Sequence, residues 1–582
     1  MSTSTPTGAP RRMRWALLII FAVALVLAAR LFQWQIIEWD KMSKRVYGQA
    51  TYTAPLYGRR GSIYSGDGLL LATDVFLYTI TAYPQGIVKA DELAQLLAPI
   101  LKQSPQTIFE KLAAQDGSVV LARDVSVEIG GAVLDLKARL EAKRPELGLG
   151  SIAVEAKPVR RYPGGAFAAQ CIGYVNAERN PANGVEQFKD VELRGVNGEV
   201  HGAGNALREI IPFDPPTYKP ATDGKHMVLA INSGMQRIVE AELANAIRES
   251  RSASGSIVVM DPKTGAVLAL AAYPSADLNA YRDPANQERY KNTAVSAQYE
   301  PGSVFKIVTL AAGLDAGAIA PHTVFDDEAV IYVGGKGIWN HDRAGHGRVT
   351  VVDFLRLSLN VEAAKIGVAL GAERFYQYVR KFGFGVPTRV ELAGEVAGDV
   401  KLPGDGHWRD IDLATNSFGQ GIAVTPMQMV TAVAAVANQG NLMRPYIVQE
   451  VQDADGRPVY RASPQVVRQV IRPEIAQTVT RLLGEAILGE SSNKAAVPGY
   501  RVAGKTGTAQ ISSYGKYDDK WTIASFAGYL PADDPRFVVL VLLDKPQSSP
   551  WGSQVASPVF AAVAKQLAAQ AGLPPDAVRA AR

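Results

Sequence analysis

The sequence predicts an α+β protein carried on a single membrane-spanning helix. Three observations predict it. A long apolar run lies close to the N-terminus. Two groups of apolar, β-branched segments, around 226–270 and 537–543, bracket a middle that reads as mostly helical. A proline cluster, Pro212, Pro215, Pro216 and Pro220, separates a mixed N-terminal region from the rest. Strand groups at both ends of a helical stretch fit one antiparallel sheet with helices on its faces.

Composition narrows the class. The chain has 582 residues, 47% hydrophobic and 20% charged, enough core for several domains. The net charge of +5 is small, and no basic stripe is interleaved with aromatics, which argues against nucleic-acid binding. A small positive excess suits a membrane surface or an anionic polymer. The single cysteine, Cys171, allows no intrachain disulfide and reads as a buried apolar residue, not a nucleophile. The six histidines are scattered; the closest pair, His341 and His346, lies in a glycine-rich loop without ligand spacing. No metal and no organic cofactor is expected.

Residues 1–14 read as a cytoplasmic tail, its first ten without apolar pattern and expected to be disordered, with Arg11, Arg12 and Arg14 following. Trp15–Ile37 is 23 residues of near-continuous apolarity. As a helix it is about 34 Å long, enough to span a bilayer. Arg30 lies where it can snorkel, and Trp34 and Trp39 suit the interface. The competing reading is a cleaved signal peptide. Ala22-Val23-Ala24 resembles a cleavage site but lies inside the apolar run. Arginines before the span place the N-terminus in the cytoplasm and the remainder outside.

Residues 38–222 read as a scaffold. Arg60–Tyr64 starts a strand, Gly66-Asp67-Gly68 turns it, and Leu69–Ala72 leads out. Ala90–Leu101 is amphipathic. Ser104-Pro105 opens a helix through Ala114. Ala132–Lys143 is a third helical pattern, and Arg160–Gly165 is a turn. Residues 223–573 form the second region. A strand, His226–Ile231, precedes Asn232-Ser233, which caps a helix over Gly234–Ile247. Ser256–Met260 and Ala266–Leu270 form a hairpin through Asp261–Gly265. Phe537–Leu543 is a buried strand, and an alanine-rich helix starts at Ser557. Residues 574–582 are expected to fray.

Three motifs in the second region carry chemistry. In Tyr299-Glu300-Pro301-Gly302-Ser303-Val304-Phe305-Lys306 a Pro-Gly turn enters an apolar helix. Ser303 and Lys306, three apart, share a face, and burial of the amine makes it a base for the hydroxyl. Ser358-Leu359-Asn360 precedes the helical run Val361–Lys365. Lys505-Thr506-Gly507-Thr508 sits on an edge strand, where glycines let a substrate backbone approach. Each triplet alone is weak. Ser-x-x-Lys, Ser-x-Asn and Lys-Thr-Gly in this order mark acylating serine enzymes that recognise penicillin. Ser491-Ser492-Asn493 also matches the second motif, but it lies in the loop feeding the Lys-Thr-Gly strand and is set aside. Lys516 and Lys520 read as solvated loop charges.

Over nearly its whole length the chain resembles a class B penicillin-binding protein, a monofunctional peptidoglycan transpeptidase. The resemblance rests on the three motifs, on Gly419-Gln420-Gly421 with Thr425-Pro426 and Gln428, and on Arg60-Gly61-Ser62-Ile63, Arg161-Tyr162-Pro163 and Gly184-Val185-Glu186. It implies an elongated non-catalytic pedestal, dimerisation-like, below a penicillin-binding transpeptidase domain. It also implies roles. Ser303 attacks the stem peptide, Lys306 is the base and Ser358 relays a proton. Asn360 holds the donor amide, Lys505, Thr506 and Thr508 bind the terminal carboxylate, and the N–H groups of Ser303 and Thr508 form the oxyanion hole. The implied partners are peptidoglycan stem peptides, β-lactams as covalent inhibitors, a membrane glycosyltransferase of the SEDS (shape, elongation, division, sporulation) type and division proteins. The implied site is the cytoplasmic membrane, with the catalytic domain outside. Asn360, where elongation-type members often carry aspartate, points to the septal type; the elongation type is the alternative. A β-lactamase or β-lactam sensor and a catalytically dead scaffold are the remaining rivals. Ser65 stands where the family usually has aspartate, which is expected to loosen a pedestal turn.

Overall fold

The computed structural model describes residues 9–41, 51–113, 117–203, 217–488, 494–513 and 516–581. The set-aside Ser491–Asn493 match and most of the tail expected to be disordered lie outside them. The chain divides into two compact units. One takes residues 1–58, 76–158 and 196–222; the other takes 59–75, 159–195 and 223–582. A division thus falls at 222/223, but 59–75 and 159–195, expected with the scaffold, belong to the second unit.

In the first unit, helix Ala9–Phe32 continues as a π-helical turn, Gln33–Ile37. Across the two, Met13–Ile37 is the one helical stretch among the described residues long and apolar enough to cross a membrane. The Arg30 guanidinium lies over the Trp34 ring at 5.0 Å. Helices Ala90–Leu101 and Pro105–Ala113 form where the pattern places them, the second with proline at its first position. The third helix starts earlier than its apolar pattern, at Val127, and ends at Leu140. Leu93, Leu97, Ile108, Val133 and Ile152 make this unit's own core.

The second unit is built on a five-stranded antiparallel sheet. Its spatial order is Val267–Tyr273, Ser254–Met260, Phe537–Asp544, Lys516–Leu530, Ala503–Ser513. Strand alternation sorts its side chains into two cores. Ile257, Val259, Val539 and Val541 face helices Ser233–Ser250 and Gly552–Gln570. Val258, Met260, Val538 and Leu540 face the other core, which includes helix Pro426–Ala437, buried along its whole length. Asn232 caps the first of these helices, its Oδ1 accepting from Gly234 N at 3.1 Å and Met235 N at 3.0 Å. The closing helix begins at Gly552, before the alanine-rich run that marks it in sequence.

Several local expectations change. Lys516 and Lys520 are on the strand Lys516–Leu530, not in a loop. The C-terminal stretch does not fray: Asp576–Ala580 is a helix, Asp576 N donates to Gly499 O at 2.8 Å, and Arg579 pairs with Asp533 at 2.5 Å. Ser65 does not loosen its turn. Fully buried, it donates to Asp67 Oδ1 at 2.6 Å and accepts from Leu69 N at 2.9 Å. The serine with Asp67 two residues on thus closes the turn.

Arg160 is not in a turn but lies at the end of the strand Ile152–Arg161. Its buried guanidinium reaches Glu186 at 2.7 Å, Asp74 at 3.3 Å and Gly61 O at 2.8 Å. Arg60 meets the other Glu186 oxygen at 2.6 Å and Asp190 at 2.5 Å. Tyr162 donates to Glu186 at 3.4 Å and accepts from Val175 N at 2.8 Å. Residues from the three scaffold signatures thus meet in one buried ionic cluster. Removing one partner leaves the others charged and uncompensated. Glu186→Ala is expected to cost about 3–5 kcal/mol, read as a lower thermal midpoint of the detergent-solubilised protein. An unchanged midpoint would show the cluster to be incidental.

Candidate active site

Ser303 lies in a 3₁₀ turn, Gly302–Phe305, and the α-helix Lys306–Asp315 starts only at Lys306. With three residues per turn, positions three apart eclipse, so Ser303 and Lys306 align more closely than an α-helix would align them. The turn is pinned from outside. Gly302 N donates to Gly419 O at 3.0 Å, and Tyr299 and Val424 exchange backbone hydrogen bonds, both 2.9 Å. Gly419 has φ +77°, and a Cβ there would stand 2.2 Å from Gly302 O. The Gly419–Gln428 stretch therefore clamps the serine turn. Thr425 and Gln428 hold that stretch in place by forming a reciprocal cap on the helix that Pro426 begins.

Asn360 opens helix Asn360–Leu370, and Ser358 precedes it in left-handed backbone at φ +54°. Lys505, Thr506 and Gly507 are on Ala503–Ser513, an edge strand as expected. The glycines of this strand are required by the packing around it. A Cβ on Gly507 would meet Ser525 Oγ at 2.4 Å and Val304 Cγ2 at 2.8 Å, and one on Gly504 would meet Ala527 O at 2.7 Å. They let the serine turn and the neighbouring strand close in on the edge strand.

Lys306 joins the first two motifs. Its side chain is fully buried. Nζ donates to Ser358 O at 2.6 Å, to Asn360 Oδ1 at 2.9 Å and to Ser358 Oγ at 3.3 Å. Burial pushes its pKa well below the ordinary lysine value, the charge of Lys505 pushes the same way, and Glu362 opposes them. Lys505 is itself buried, with Nζ donating to Thr506 Oγ1 at 3.1 Å. Thr508 Oγ1 accepts from Gly552 N at 3.1 Å, which ties this strand to the closing helix.

Ser303, Ser358, Asn360, Thr506 and Thr508 line one cavity of about 260 Å³. Lys306, Lys505 and Gly507 are not on its lining; Lys306 reaches it through Ser358 and Asn360. Trp551 and His341 also line it, their rings edge to face at 5.7 Å. A larger cavity, about 590 Å³, lies elsewhere in this unit, near Tyr500 and Arg501, and contains none of the motif residues. Among the described residues no cluster of histidine, cysteine and carboxylates is placed to hold a metal. Burial pushes the Cys171 thiol far up the pKa scale, which leaves it inert as a nucleophile.

Residues 255–565 match the family described as the penicillin binding protein transpeptidase domain, and residues 55–229 match the penicillin-binding protein dimerisation domain. The chain belongs to the class B penicillin-binding proteins. Stage V sporulation protein D of Bacillus subtilis is 31% identical, over 97% of this chain and 86% of that protein. Peptidoglycan D,D-transpeptidase FtsI of Escherichia coli is 29% identical, over 99% of this chain and 97% of that one. Among solved structures, penicillin binding protein 3 of Mycobacterium tuberculosis in complex with aztreonam is 27% identical with a TM-score of 0.68, covering 90% of this chain and 98% of that one.

This penicillin-binding protein also uses residues that its motifs do not announce. Asn340 is buried, and its Oδ1 accepts from Asn360 N at 2.9 Å and Val361 N at 3.2 Å, capping the Asn360 helix from a distant loop. Its Nδ2 donates to both oxygens of buried Asp327, at 3.0 and 2.8 Å. In sequence Asn340 simply precedes His341 at the edge of the glycine-rich loop, with nothing to mark it as a cap. Asn340→Ala is expected to destabilise the protein by about 1–2 kcal/mol, the usual worth of a helix cap. Asn340→Asp, which sets a second carboxylate against Asp327, is expected to lose at least as much. Thermal unfolding of both variants checks this, and midpoints equal to wild type would remove Asn340 from the support of the site.

Proposed function

We propose that this chain is a membrane-anchored peptidoglycan D,D-transpeptidase that cross-links stem peptides through an acyl-enzyme on Ser303. The observation that carries the reading is the buried amine of Lys306, held by Ser358 and Asn360 behind the cavity that Ser303 lines. Ser303 Oγ attacks the carbonyl of the penultimate D-alanine while Lys306 Nζ takes its proton. The carbonyl oxygen becomes an oxyanion, received by the N–H groups of Ser303 and Thr508. Removing one such donor costs about 10²–10³ in rate in other acyl-transfer enzymes. The tetrahedral species collapses, the C–N bond to the terminal D-alanine breaks, and a proton relayed through Ser358 Oγ leaves with its amine. The amine of a second stem peptide then attacks the ester, loses a proton along the same route, and releases Ser303. Asn360 orients the donor amide. Lys505, with Thr506 and Thr508, holds the terminal carboxylate, and Gly507 keeps that strand against the serine turn.

The same reading takes β-lactams as covalent inhibitors, because the amine released on ring opening stays tethered to the acyl group and blocks the acceptor's approach. Relatives named for sporulation and as FtsI, together with Asn360, favour a septal role over an elongation role. The helix Met13–Ile37 serves as the anchor, with the N-terminus in the cytoplasm and the catalytic unit outside. Glycan strands then come from a separate membrane glycosyltransferase of the SEDS type, working with division proteins.

Labelling with a fluorescent penicillin tests the reading. Wild type is expected to form a long-lived adduct and Ser303→Ala none. Because burial pushes Lys306 well below the ordinary lysine value, its free-base form persists to lower pH than an exposed lysine's and is lost as pH falls. Acylation should therefore decline on the acid side. A wild type that never labels, or that turns penicillin over rapidly, would sink the transpeptidase reading.

A further inference from the structure

Arg356 stands on the wall of the catalytic cavity, and the reaction above gives it no task. It ends the helix Val351–Arg356, two residues before Ser358. Its side chain lines the cavity together with Ser303, Ser358 and Asn360. Among the described residues it is the one permanently charged side chain on that lining, and no carboxylate joins it there. His341 is the other basic group on the lining. The wall is therefore basic without an acidic counterpart.

The guanidinium is held from one side. Its Nη2 donates to Asp353 Oδ1 at 2.5 Å, and among the described residues that is its one hydrogen bond. Asp353 is itself fixed as the cap partner of Thr350, its Oδ2 accepting from Thr350 N at 3.0 Å and Thr350 Oγ1 at 2.7 Å. Backbone bonds tie this helix end to the catalytic segment: Leu357 N donates to Asp353 O at 2.8 Å, and Leu359 N to Phe354 O at 3.1 Å. A guanidinium carries five donors in a planar fork that matches a carboxylate, and Asp353 takes only one edge of it. The side chain is 37% exposed, and a pair so exposed adds little stability. The pair thus orients a cation more than it secures the helix.

We propose that Arg356 is a binding residue for a second carboxylate of the substrate, and that the stem peptides this enzyme takes carry a diamino dicarboxylic acid, not a plain diamino acid. The inference rests on the transpeptidase reading. In that reading the edge strand already answers the terminal carboxylate, through Lys505, Thr506 and Thr508. Arg356 comes from the Ser358 segment instead, so it serves a different anion. The stem-peptide residue that supplies the cross-linking amine is a diamino acid. Where it is a diacid, a carboxylate lies beside that amine; where it is lysine-like, none does. That carboxylate reaches the cavity either on the donor, in the chain before the penultimate D-alanine, or on the acceptor, beside the attacking amine. The chemistry recognised is the same: a carboxylate paired with the remaining edge of the guanidinium.

Two measurements on the full-length, detergent-solubilised protein separate the sources. Each compares wild type, Arg356→Gln, Arg356→Lys and His341→Gln. For the donor, acylation rates are taken with two penicillins that differ at one group, a side-chain carboxylate in one and its primary amide in the other. For the acceptor, the acyl-enzyme formed from an N-acyl-D-alanyl thioester is offered two tripeptides ending in a diamino diacid. One has the carboxyl beside its side-chain amine free, and the other has it amidated. The readout is the ratio of rates within each variant, so a partial loss of folded protein cancels. Wild type is expected to prefer the free carboxylate about tenfold, the scale of one charge-assisted hydrogen-bonded contact, and the test that shows it names the source. Arg356→Gln should remove the preference, and Arg356→Lys should fall between, because lysine keeps the charge without the fork. No preference in wild type in either test, or one that Arg356→Gln keeps, overturns the inference and leaves the transpeptidase reading intact. A preference lost only in His341→Gln does the same. A wild type that neither penicillin acylates removes the transpeptidase reading, and this inference with it.

Discussion

An amine removed from water is the constraint on which the catalytic unit turns. In solution an ammonium is strongly favoured at neutral pH, and a lysine cannot take a proton from serine until that preference is undone. Here it is weakened by full burial and by a second lysine. Burial alone would leave Nζ without partners, a costly state. Ser358 and Asn360 supply oxygens at 2.6 and 2.9 Å, so the amine is both dry and satisfied. Those acceptors are a backbone carbonyl and an amide, not carboxylates. Neither pulls the amine back toward its ammonium as a directly bonded carboxylate would.

Holding those two oxygens in place needs backbone that ordinary sequence avoids. Ser358 adopts the left-handed region, which costs a non-glycine residue on the order of 1 kcal/mol. In exchange its carbonyl and its hydroxyl both lie within reach of Lys306. Asn360 is fixed from the other side by Asn340, and Asn340 by Asp327. The serine turn is fixed by Gly419, where only hydrogen fits. Each of these supports comes from a segment distant in sequence, and none brings a reactive group of its own to the cavity.

That division explains what the sequence disclosed. Ser303, Lys306, Ser358, Asn360 and Lys505 were legible as a candidate set because the chemistry limits which residue types serve and the local elements set their spacing. The central sheet was legible because short apolar, β-branched runs bounded by turn residues, such as Ser254–Met260 before Asp261–Gly265, mark buried strands. The supports were not legible. Asn340 as a cap has no spacing relative to Asn360, since it reaches the helix from a loop. For the glycines of the third motif the pattern suggests clearance for substrate, and only the packed neighbours show that they also clear the serine turn. Ser65, Arg160 and the Asp576 helix depart from the local pattern for a related reason: their partners lie far along the chain or in side-chain geometry that such a pattern does not encode.

The two ionic environments of the second unit make opposite use of burial. At Arg60, Arg160 and Glu186, opposite charges meet at 2.6 and 2.7 Å and fix a fold that has no proton to move. At Lys306 the amine is met by a carbonyl and an amide oxygen, at 2.6 and 2.9 Å, and a like charge, Lys505, is brought to bear. A salt bridge at Lys306 would have satisfied the same burial more simply, and it would have fixed the proton on nitrogen.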